Sequence, residues 1–574
     1  MNLTPKVSIA IIGGGPAALF MVKGLVELDN NNFCVTIFEK ADEIGSGMPY
    51  SKYGANKEHV ANVSEKELPQ LFTSVSEWLG DKDEDFLKAF NINLENFHEH
   101  KVLPRLLLGE YLSAQFSILL QKAKEKDVEV NVSCNTEVED IVYDVAINKT
   151  IVFTNTNKAD QFDYAIICTG HKWPYNNEKF HPGWFDSPYP PSKLQLTANY
   201  PVAIKGSSLT AIDAIRTLAL QNGIFRKDEN GQLFFERKSE CPNFKIVLHS
   251  LKGLLPSIRF YLEDPEVNAD ITLSDEETIA IKHKNDGFIP LDYIFIRNFK
   301  EPLRKRNVDF YEKIKDMSLE EFTDYIMSFR ENIDPILLFK GEYNEAYKSI
   351  KRQQSIDWKE EFSILSYAIN FPAKHMCAED MLRLQKHLMP LIGIIIAMVP
   401  QQSAETLIAL YDAGALEIVS VNENSTVEPH EKKGCLYRYT SETGEEVEAH
   451  YNMFIDATGQ PQFPYKDFLF KGLMKNGTVS PAQMQFRSAS HAQELMANND
   501  AIEKDSVGNY WLTLPGISIN DHFQVLDKFG AANNSIFIMA VPYISGLNPD
   551  FSGLDFCERA SKKIAEAIEY SLSA

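Results

Sequence analysis

A glycine-rich turn near the start of the chain has the residue types and spacing needed to bind a pyrophosphate. In VSIAIIGGGPAALFMVKGLVEL, the residues Gly13, Gly15 and Ala18 follow a GxGxxA spacing between an apolar run and a helical pattern. Gly13 permits the tight turn, Gly15 leaves space for phosphate against the backbone, and the small Ala18 lets the helix pack on the strand. Free N–H groups at the helix N-terminus then face the anion, so the spacing predicts a dinucleotide-binding turn.

Two later segments extend this pattern. FCVTIFEK reads as a second strand that ends at Glu39, where a carboxylate can bind ribose hydroxyls, although a solvated surface acid is the alternative. QFDYAIICTGHKWP reads as a buried strand followed by Thr169 and Gly170. Small residues there let the chain pass close to a bound dinucleotide.

The same order of elements recurs further along the chain. YPVAIKGSSLTAIDAI predicts strand, turn and helix with Gly206, Ser208 and Ala211, and AHYNMFIDATGQP repeats the strand before Thr458 and Gly459. A side chain at Ser208 narrows the space for a pyrophosphate, but its hydroxyl can donate to phosphate oxygen. An ordinary strand-turn-helix remains the alternative to a second nucleotide site.

The strand after this second turn bears on the choice of nicotinamide cofactor. In FKIVLHSLKGLLPSIR no Asp or Glu ends the strand, so no carboxylate would repel a 2′-phosphate. Lys252 or Arg259 could pair with that phosphate, or Lys252 could be a surface-loop residue. The pattern favours NADPH, with NADH possible.

These elements predict an α/β protein with two Rossmann-like dinucleotide-binding domains and a helical insertion. At 574 residues the chain exceeds the size of a single core. We expect the first domain at residues 1–198 with a closing part at 461–574, and the second domain at 199–460. The insertion, at about 256–405, carries amphipathic helical patterns and is expected to cover the cleft and shape the substrate pocket.

Composition restricts the partners. The formal charge of −23 disfavours nucleic acid and anionic lipid, and the apolar run from Leu391 to Val399 is too short to span a bilayer. The seven cysteines lack a CxxC pair, which predicts reduced thiols in a cytoplasmic protein with no disulfide framework or metal site. Oligomeric state is left open.

In sequence order, the motifs resemble the two-dinucleotide-binding flavoproteins, in particular FAD/NAD(P)-binding proteins related to class B flavin monooxygenases. The matches are GGGPAAL at 13–19, IFEK at 37–40, GSGMPYS at 45–51, HVAN at 59–62, LLLGEYL at 106–112, CTGHKWP at 168–174, GSSLTAIDA at 206–214 and DATG at 456–459. The resemblance implies the two-dinucleotide-binding flavoprotein fold, with FAD and a nicotinamide cofactor. It implies FAD-binding roles near the adenosine diphosphate for Gly13, Gly15, Pro16, Ala17, Ala18, Glu39 and Lys40.

The resemblance also places residues near the flavin end. It implies such a position for Gly47, Met48 and Asn62, and a role for Arg105 in fixing the cofactor, with an ion-pair partner as the alternative. Asn62 could hydrogen-bond the flavin rim and is the candidate catalytic residue. The closing strand, turn and helix carry Gly546 and Asn548 in the loop, but Ala540-Val541 replace the Gly-Asp pair often found there.

The function implied is an FAD-dependent oxidoreductase reduced by NAD(P)H, and more specifically a monooxygenase that uses molecular oxygen to hydroxylate a small molecule such as an amine or amino acid. A flavin dehydrogenase or reductase without oxygen insertion, and a non-catalytic flavin-binding redox sensor, are the alternatives. The sequence contains no HExxH, no GxSxG elbow and no P-loop lysine in the right context.

Overall fold

Two parallel β-sheets organise the protein, whose computed structural model describes residues 6–174, 176–263, 272–550 and 552–573. The strands, in chain order, are β1 (Val7–Ile12), β2 (Phe33–Phe38), β3 (Val60–Ser64), β4 (Val102–Pro104), β5 (Glu129–Ser133), β6 (Val138–Asp144), β7 (Lys149–Thr154), β8 (Ala159–Phe162), β9 (Tyr164–Ile167), β10 (Trp184–Phe185), β11 (Pro201–Lys205), β12 (Gly223–Lys227), β13 (Leu233–Arg237), β14 (Lys245–Leu251), β15 (Leu416–Val421), β16 (Thr426–Pro429), β17 (Cys435–Thr440), β18 (Glu446–Tyr451), β19 (Phe454–Asp456), β20 (Pro481–Gln485), β21 (Ile502–Lys504), β22 (Tyr510–Ile517), β23 (Gln524–Leu526) and β24 (Ala532–Ile538).

The α-helices follow the same numbering. They are α1 (Pro16–Val26), α2 (Gly47–Tyr50), α3 (Val75–Gly80), α4 (Glu84–Ala89), α5 (Arg105–Glu125), α6 (Leu209–Asn222), α7 (Asp275–Lys284), α8 (Leu291–Phe295), α9 (Glu301–Arg306), α10 (Val308–Ile314), α11 (Leu319–Glu331), α12 (Pro335–Arg352), α13 (Asp357–Ile369), α14 (Ala378–Arg383), α15 (Met389–Ile395), α16 (Gln401–Asp412), α17 (Lys471–Lys475), α18 (Ala489–Met496) and α19 (Leu554–Ser573).

The first sheet has the strand order β23-β24-β9-β1-β2-β5. All neighbours pair in parallel except β23, which pairs antiparallel with β24. In the central strand, Ile9, Ala10 and Ile11 are fully buried, as expected for a parallel strand covered on both faces. Helix α1 connects β1 to β2, and the C-terminal helix α19 packs on α1.

The second sheet has the order β10-β19-β11-β14-β15 and is parallel throughout. Helix α6 connects β11 to β14 as α1 connects β1 to β2. In the first sheet, β1 precedes a glycine turn and lies between β2 and β9. In the second sheet, β11 precedes a glycine turn and lies between β14 and β19. Strands β9 and β19 each precede a Thr-Gly pair. The predicted α/β class with parallel sheet is therefore confirmed.

The segment between β14 and β15 of the second sheet is largely helical. Helices α7 to α15 occupy 275–395, while positions 264–271 of the expected insertion lie outside the described residues. Apolar side chains such as Phe322 and Phe362 belong to the same core as the first sheet, whereas Ile336 and Phe339 of α12 pack with the second. The helical segment therefore contacts both sheets.

Candidate functional site

The first glycine turn has a geometry that excludes larger residues. Gly13 has φ +104°, and an added Cβ would lie 2.7 Å from the carbonyl oxygen of Cys168. Gly15 is the N-cap of α1, with φ −79° and ψ −163°, and Pro16 is the first residue of the helix. The turn thus passes close to the end of β9 and exposes a helix N-terminus, as a phosphate-binding turn requires.

Glu39, Ala17, Ala18 and Lys40 surround this turn, and their predicted contacts with a cofactor remain predictions. Glu39 follows β2 and accepts hydrogen bonds from the N–H groups of Gly14 at 2.6 Å and Ala41 at 2.7 Å. Ala18 is fully buried, Ala17 is half-buried and Lys40 is exposed. The Glu39 carboxylate therefore lies directly beside the glycine turn.

A second loop folds over the first turn. The N–H of Gly45 donates to the carbonyl of Gly14 at 2.7 Å, and an added Cβ on Gly47, which has φ +59°, would lie 2.8 Å from Cδ of Pro16. Met48 follows in α2 and is half-buried. Only glycine allows this loop to lie so close to the start of α1.

The second glycine turn repeats the first in detail. Gly206 has φ +101°, and an added Cβ would lie 2.7 Å from the carbonyl oxygen of Ala457. Ser208 is the N-cap of α6 with φ −87° and ψ −168°, close to the values of Gly15, and its side chain makes no capping hydrogen bond. Ser208 therefore occupies the position of Gly15 with a hydroxyl that does not cap its own helix.

Strand register identifies the counterpart of Glu39 in the second sheet. Gly13 donates its N–H to the carbonyl of Phe38, and Gly206 donates to the carbonyl of His249 at 2.9 Å. The residue after His249 is Ser250, whose hydroxyl donates to that of Ser207 at 2.9 Å. A neutral hydroxyl thus stands where the first sheet has a carboxylate.

Lys252 lies two residues beyond this position. Its ammonium group is 2.8 Å from the carboxylate of Glu331, and the side chain is largely exposed. The predicted role of Lys252 at a 2′-phosphate remains a prediction, and it would require the ammonium group to leave Glu331 or to contact both groups.

The ends of the two sheets lie side by side. Thr169 follows β9, and its buried hydroxyl has no hydrogen-bond partner within the described part of the chain. Beyond the exposed Gly170, the N–H of Lys172 donates to Oε1 of Gln460 at 2.9 Å, and the indole of Trp173 donates to the carbonyl of Gly459 at 3.1 Å. The chain segments leaving the two Thr-Gly strands are therefore joined by hydrogen bonds.

Two predicted flavin-end residues have partners from other parts of the chain. The backbone and side-chain oxygens of Asn62 accept hydrogen bonds from Arg259 at 3.1 and 3.4 Å, and Arg259 also pairs with Glu67. Arg105 pairs with Asp213 on α6. The structure thus pairs Arg259 with Asn62 and Glu67, and the predicted role of Arg259 at a 2′-phosphate remains a prediction.

The closing loop packs against strand β22. An added Cβ on Gly546 would overlap the carbonyl oxygen of Pro515, and Asn548 is 2% exposed. Gly546 therefore provides close packing, and the predicted cofactor contacts of both residues remain predictions.

Several side chains lie deep in the protein yet keep accessible surface. They are Tyr50, Arg105, Tyr189, Tyr367, Asp550 and Asp555. Tyr50 interacts electrostatically with both Arg105 and Asp555, so these side chains lie near one another. Sequence reasoning did not single out Tyr189, Tyr367, Asp550 or Asp555, and the Asp-rich run LNPDFSGLD was the one available signal.

Helix α13 of the helical segment supplies partners to the two carboxyl groups. Ser366 donates its hydroxyl to Asp550, and the N–H of Asp550 donates to the side-chain oxygen of Asn370 at 2.9 Å. Burial raises the pKa of Asp550 to about 7, and the negative charge of Asp555 raises it as well. Burial also raises the pKa of Asp555 to about 6, while a hydrogen bond from Tyr367 acts in the opposite direction.

The raised pKa of Asp550 predicts a pH-dependent stability. The native state holds this proton more tightly than the unfolded chain, so the stability contribution is present near pH 4 and is lost as pH rises through about 7. From pH 5 to pH 8, we expect the free energy of unfolding of Asp550→Asn to rise by about 2 kcal/mol relative to that of wild type, since each pKa unit is worth about 1.4 kcal/mol and partial exposure of Asp550 screens the charge. Urea unfolding at the two pH values measures this. A difference between the proteins that does not change with pH would contradict it, and Asp163→Asn, whose carboxyl has a lowered pKa, is the control.

Among the described residues, no group of three or more His, Cys, Asp or Glu side chains is arranged to hold a metal ion. In the same residues, no helix combines the length and the apolar character needed to cross a membrane.

Comparison with known proteins identifies two regions of the chain. Residues 10–172 match the family model described as FAD-NAD(P)-binding, and residues 274–396 match the one described as YdhS-like middle domain. The second match coincides with the helical segment. The chain is 28% identical over 470 residues to the uncharacterized protein YdhS of Escherichia coli K12, covering 81% of this chain and 85% of YdhS.

Solved structures with a similar overall course include two hydroxylases. The ornithine N-hydroxylase of Kutzneria sp. 744 is 12% identical with a TM-score of 0.48, over 99% of this chain and 100% of the hydroxylase. The L-lysine 6-monooxygenase of Pseudomonas syringae is 12% identical with a TM-score of 0.46, over 98% and 99% of the two chains.

Proposed function

We propose, from the premise that residues 10–172 form an FAD-NAD(P)-binding domain and 274–396 a YdhS-like middle domain, that the protein is an FAD-dependent oxidoreductase reduced by NAD(P)H. The observation that carries the proposal is the repeated turn: Gly13 and Gly206 share their backbone conformation and their close approach to the end of a neighbouring strand. Two such turns, with the Thr-Gly ends of their sheets joined through Gln460, suit a donor and an acceptor nucleotide.

The residues of the first turn fit FAD. The backbone of residues 13–16 and the N-terminus of α1 would hold the pyrophosphate, and Glu39 lies where a ribose would be bound. The unpartnered hydroxyl of Thr169 at the end of β9 is a further polar group in this region. When bound, FAD supplies the electron-transfer chemistry, and the protein binds and orients it and excludes water.

The second turn fits a nicotinamide dinucleotide, and NADPH is favoured. Ser208 keeps the backbone conformation of Gly15, and its hydroxyl is available to donate to phosphate oxygen. Ser250 replaces the carboxylate that would repel a 2′-phosphate. The domain assignment of residues 199–460 to this second site is part of the same proposal.

The reaction we propose is hydroxylation of a small amine or amino acid with molecular oxygen. The choice of a monooxygenase rests on the motif resemblance. Asp550 supports a cationic substrate, because burial disfavours its ionised form and raises its pKa. An ammonium group bound beside Asp550 would offset that cost and hold the carboxylate ionised.

Anaerobic mixing with NADPH tests the proposal. The yellow protein should bleach with NADPH, and more slowly with NADH, and should recover its colour on admission of air. Oxygen consumption that rises when an amine is added, with formation of hydroxylated product, indicates the monooxygenase. Bleaching with an artificial electron acceptor but no oxygen consumption identifies a dehydrogenase, and no bleaching with either nucleotide contradicts both enzymes and leaves a flavin-binding sensor.

A further inference from the structure

A buried ion pair connects helix α5 to helix α6. Nη1 of Arg105, the first residue of α5, lies 2.5 Å from Oδ2 of Asp213 on α6. The hydroxyl of Tyr189 donates to the same oxygen at 2.7 Å. The side chains of Arg105 and Asp213 are 14% and 6% exposed, so the pair is largely shielded from water.

The next turn of α6 is held from the same direction. Nε2 of His59 lies 3.0 Å from the hydroxyl of Thr217 and 3.3 Å from the carbonyl oxygen of Asp213. The hydroxyl of Thr217 donates to Glu58 at 2.7 Å. Burial lowers the pKa of His59, which favours the neutral ring in this network. Residues 58, 59 and 105 therefore fix α6 over more than one turn.

The position of this pair relates the two nucleotide turns. Asp213 lies five residues after Ser208, so it is about one and a half turns into the helix whose N-terminus forms the second site. Arg105 interacts electrostatically with Tyr50, the last residue of α2. The first residue of α2, Gly47, packs on Gly15 and Pro16 at the first site. One ion pair thus joins the helix of the second site to the wall of the first.

Loss of Arg105 and loss of Asp213 should have unequal effects on the binding of an anionic nucleotide. Without Arg105, the Asp213 carboxylate would lose its ion-pair partner close to a helix N-terminus that has to accept an anionic nucleotide, although Arg216 would still interact with it. With Arg105 present, that negative charge is neutralised. Burial alone would lower the pKa of Arg105, but Asp213 and Tyr189 raise it above its ordinary value, so the guanidinium stays charged.

We propose that Arg105 is a positioning residue for the nicotinamide nucleotide, acting through Asp213, and that it sets the placement of α6 against the FAD-binding domain. This inference rests on the proposed second nucleotide site. It differs from the role implied by the motif resemblance, in which Arg105 fixes FAD directly.

A double-mutant cycle on the FAD-loaded protein tests the inference. Arg105→Met should raise the Kd for NADPH, or lower the rate of anaerobic flavin reduction, by about 30-fold, because it leaves the Asp213 charge buried. Asp213→Asn should have a smaller effect, and the double variant should return to within about 5-fold of wild type, because neither charge remains. The FAD affinity, from quenching of flavin fluorescence, should change less than about 2-fold in all three, a threshold below 0.5 kcal/mol.

Lys149→Met is the matched control. It removes the cation of the Lys149–Asp163 pair, which is 2.6 Å long and lies within the first half of the chain, and it should leave the NADPH-dependent values unchanged. If Arg105→Met does not fold, Tyr189→Phe removes one hydrogen bond from the same Asp213 oxygen and should shift nucleotide binding in the same direction by a few-fold.

Amide hydrogen exchange separates this inference from the proposed function, because it needs no nicotinamide. Exchange in residues 209–217 should be faster in Arg105→Met than in wild type, and the double variant should restore protection. If NADPH fails to reduce the wild type, the proposed function fails while exchange still decides the role of the pair. The inference is overturned if Arg105→Met releases FAD but leaves reduction per bound flavin unchanged, or if the double variant is no better than Arg105→Met.

Discussion

Gly15→Asp should give a colourless protein that still folds. Gly15 has φ −79°, which any residue can adopt, and its added Cβ would lie 3.3 Å from Cα of Gly47, so the side chain requires a shift of a few tenths of an ångström. The new carboxylate would then stand at the helix N-terminus where we propose that the FAD pyrophosphate binds, and two anions would compete for the same N–H groups. We expect FAD affinity to fall by at least about 100-fold, equivalent to about 2.7 kcal/mol.

Two matched variants separate charge from bulk. Gly15→Ala adds the Cβ without the charge and should bind FAD within about tenfold of wild type, or within about 1.4 kcal/mol. Gly80→Asp adds a carboxylate at an exposed helix end with open space around it, and should have no effect on FAD. Flavin content after gel filtration and the thermal midpoint measure binding and folding. Full FAD occupancy in Gly15→Asp would falsify the placement of the pyrophosphate.

Local patterns predicted the glycine turns because the whole signal lies within one strand-turn-helix. Gly13 and Gly206 each stand directly after an apolar strand and before an apolar helix, and the positive φ values follow from that tight turn. The parallel sheets follow from the same repeated order of elements. For such features, the interactions that determine the local backbone structure lie within a window of about 20 residues.

Contacts between distant residues could not be predicted in this way. Arg105 and Asp213 are separated by 108 residues, and Asp550 and Ser366 by 184. Nothing in the local pattern of α13 indicates that Ser366 and Asn370 reach the closing loop, because that depends on how the helical segment packs against the first sheet. The resemblance implied a cofactor role for Arg105, and the ion-pair alternative matches the contact that the structure shows.

The register between strands also could not be predicted from the sequence. The last residue of β14 that pairs with β11 is His249, which lies opposite Lys205. The residue that follows it is Ser250. The sequence shows that no acid ends this strand, and it offers Lys252 or Arg259 as phosphate partners from their proximity in the chain. In the structure, folding brings Glu331 of α11 to that lysine, and an acid 79 residues away is not visible in the motif.

Ser208→Asp should give a protein that remains yellow but is no longer reduced by NADPH. Ser208 has nearly the backbone conformation of Gly15, so the same carboxylate is placed at the second helix N-terminus. Repulsion of the nicotinamide pyrophosphate should raise its Kd by at least about 100-fold, about 2.7 kcal/mol, while FAD, which we propose binds at the other sheet, should be retained. Stopped-flow reduction under anaerobic conditions, together with flavin content, measures both effects.

Ser208→Gly restores the glycine at the middle of the turn and decides what the hydroxyl does. If the side chain only narrows the site, nucleotide affinity should rise, and if the hydroxyl donates to phosphate, affinity should fall by about 5-fold to 10-fold, the loss of one hydrogen bond to a charged group with partial replacement by water. We expect the affinity to fall, because the hydroxyl makes no capping bond in α6 and the backbone already has the required conformation.

Wild-type reduction rates in Ser208→Asp would contradict the second site itself, since a carboxylate cannot share those N–H groups with a pyrophosphate.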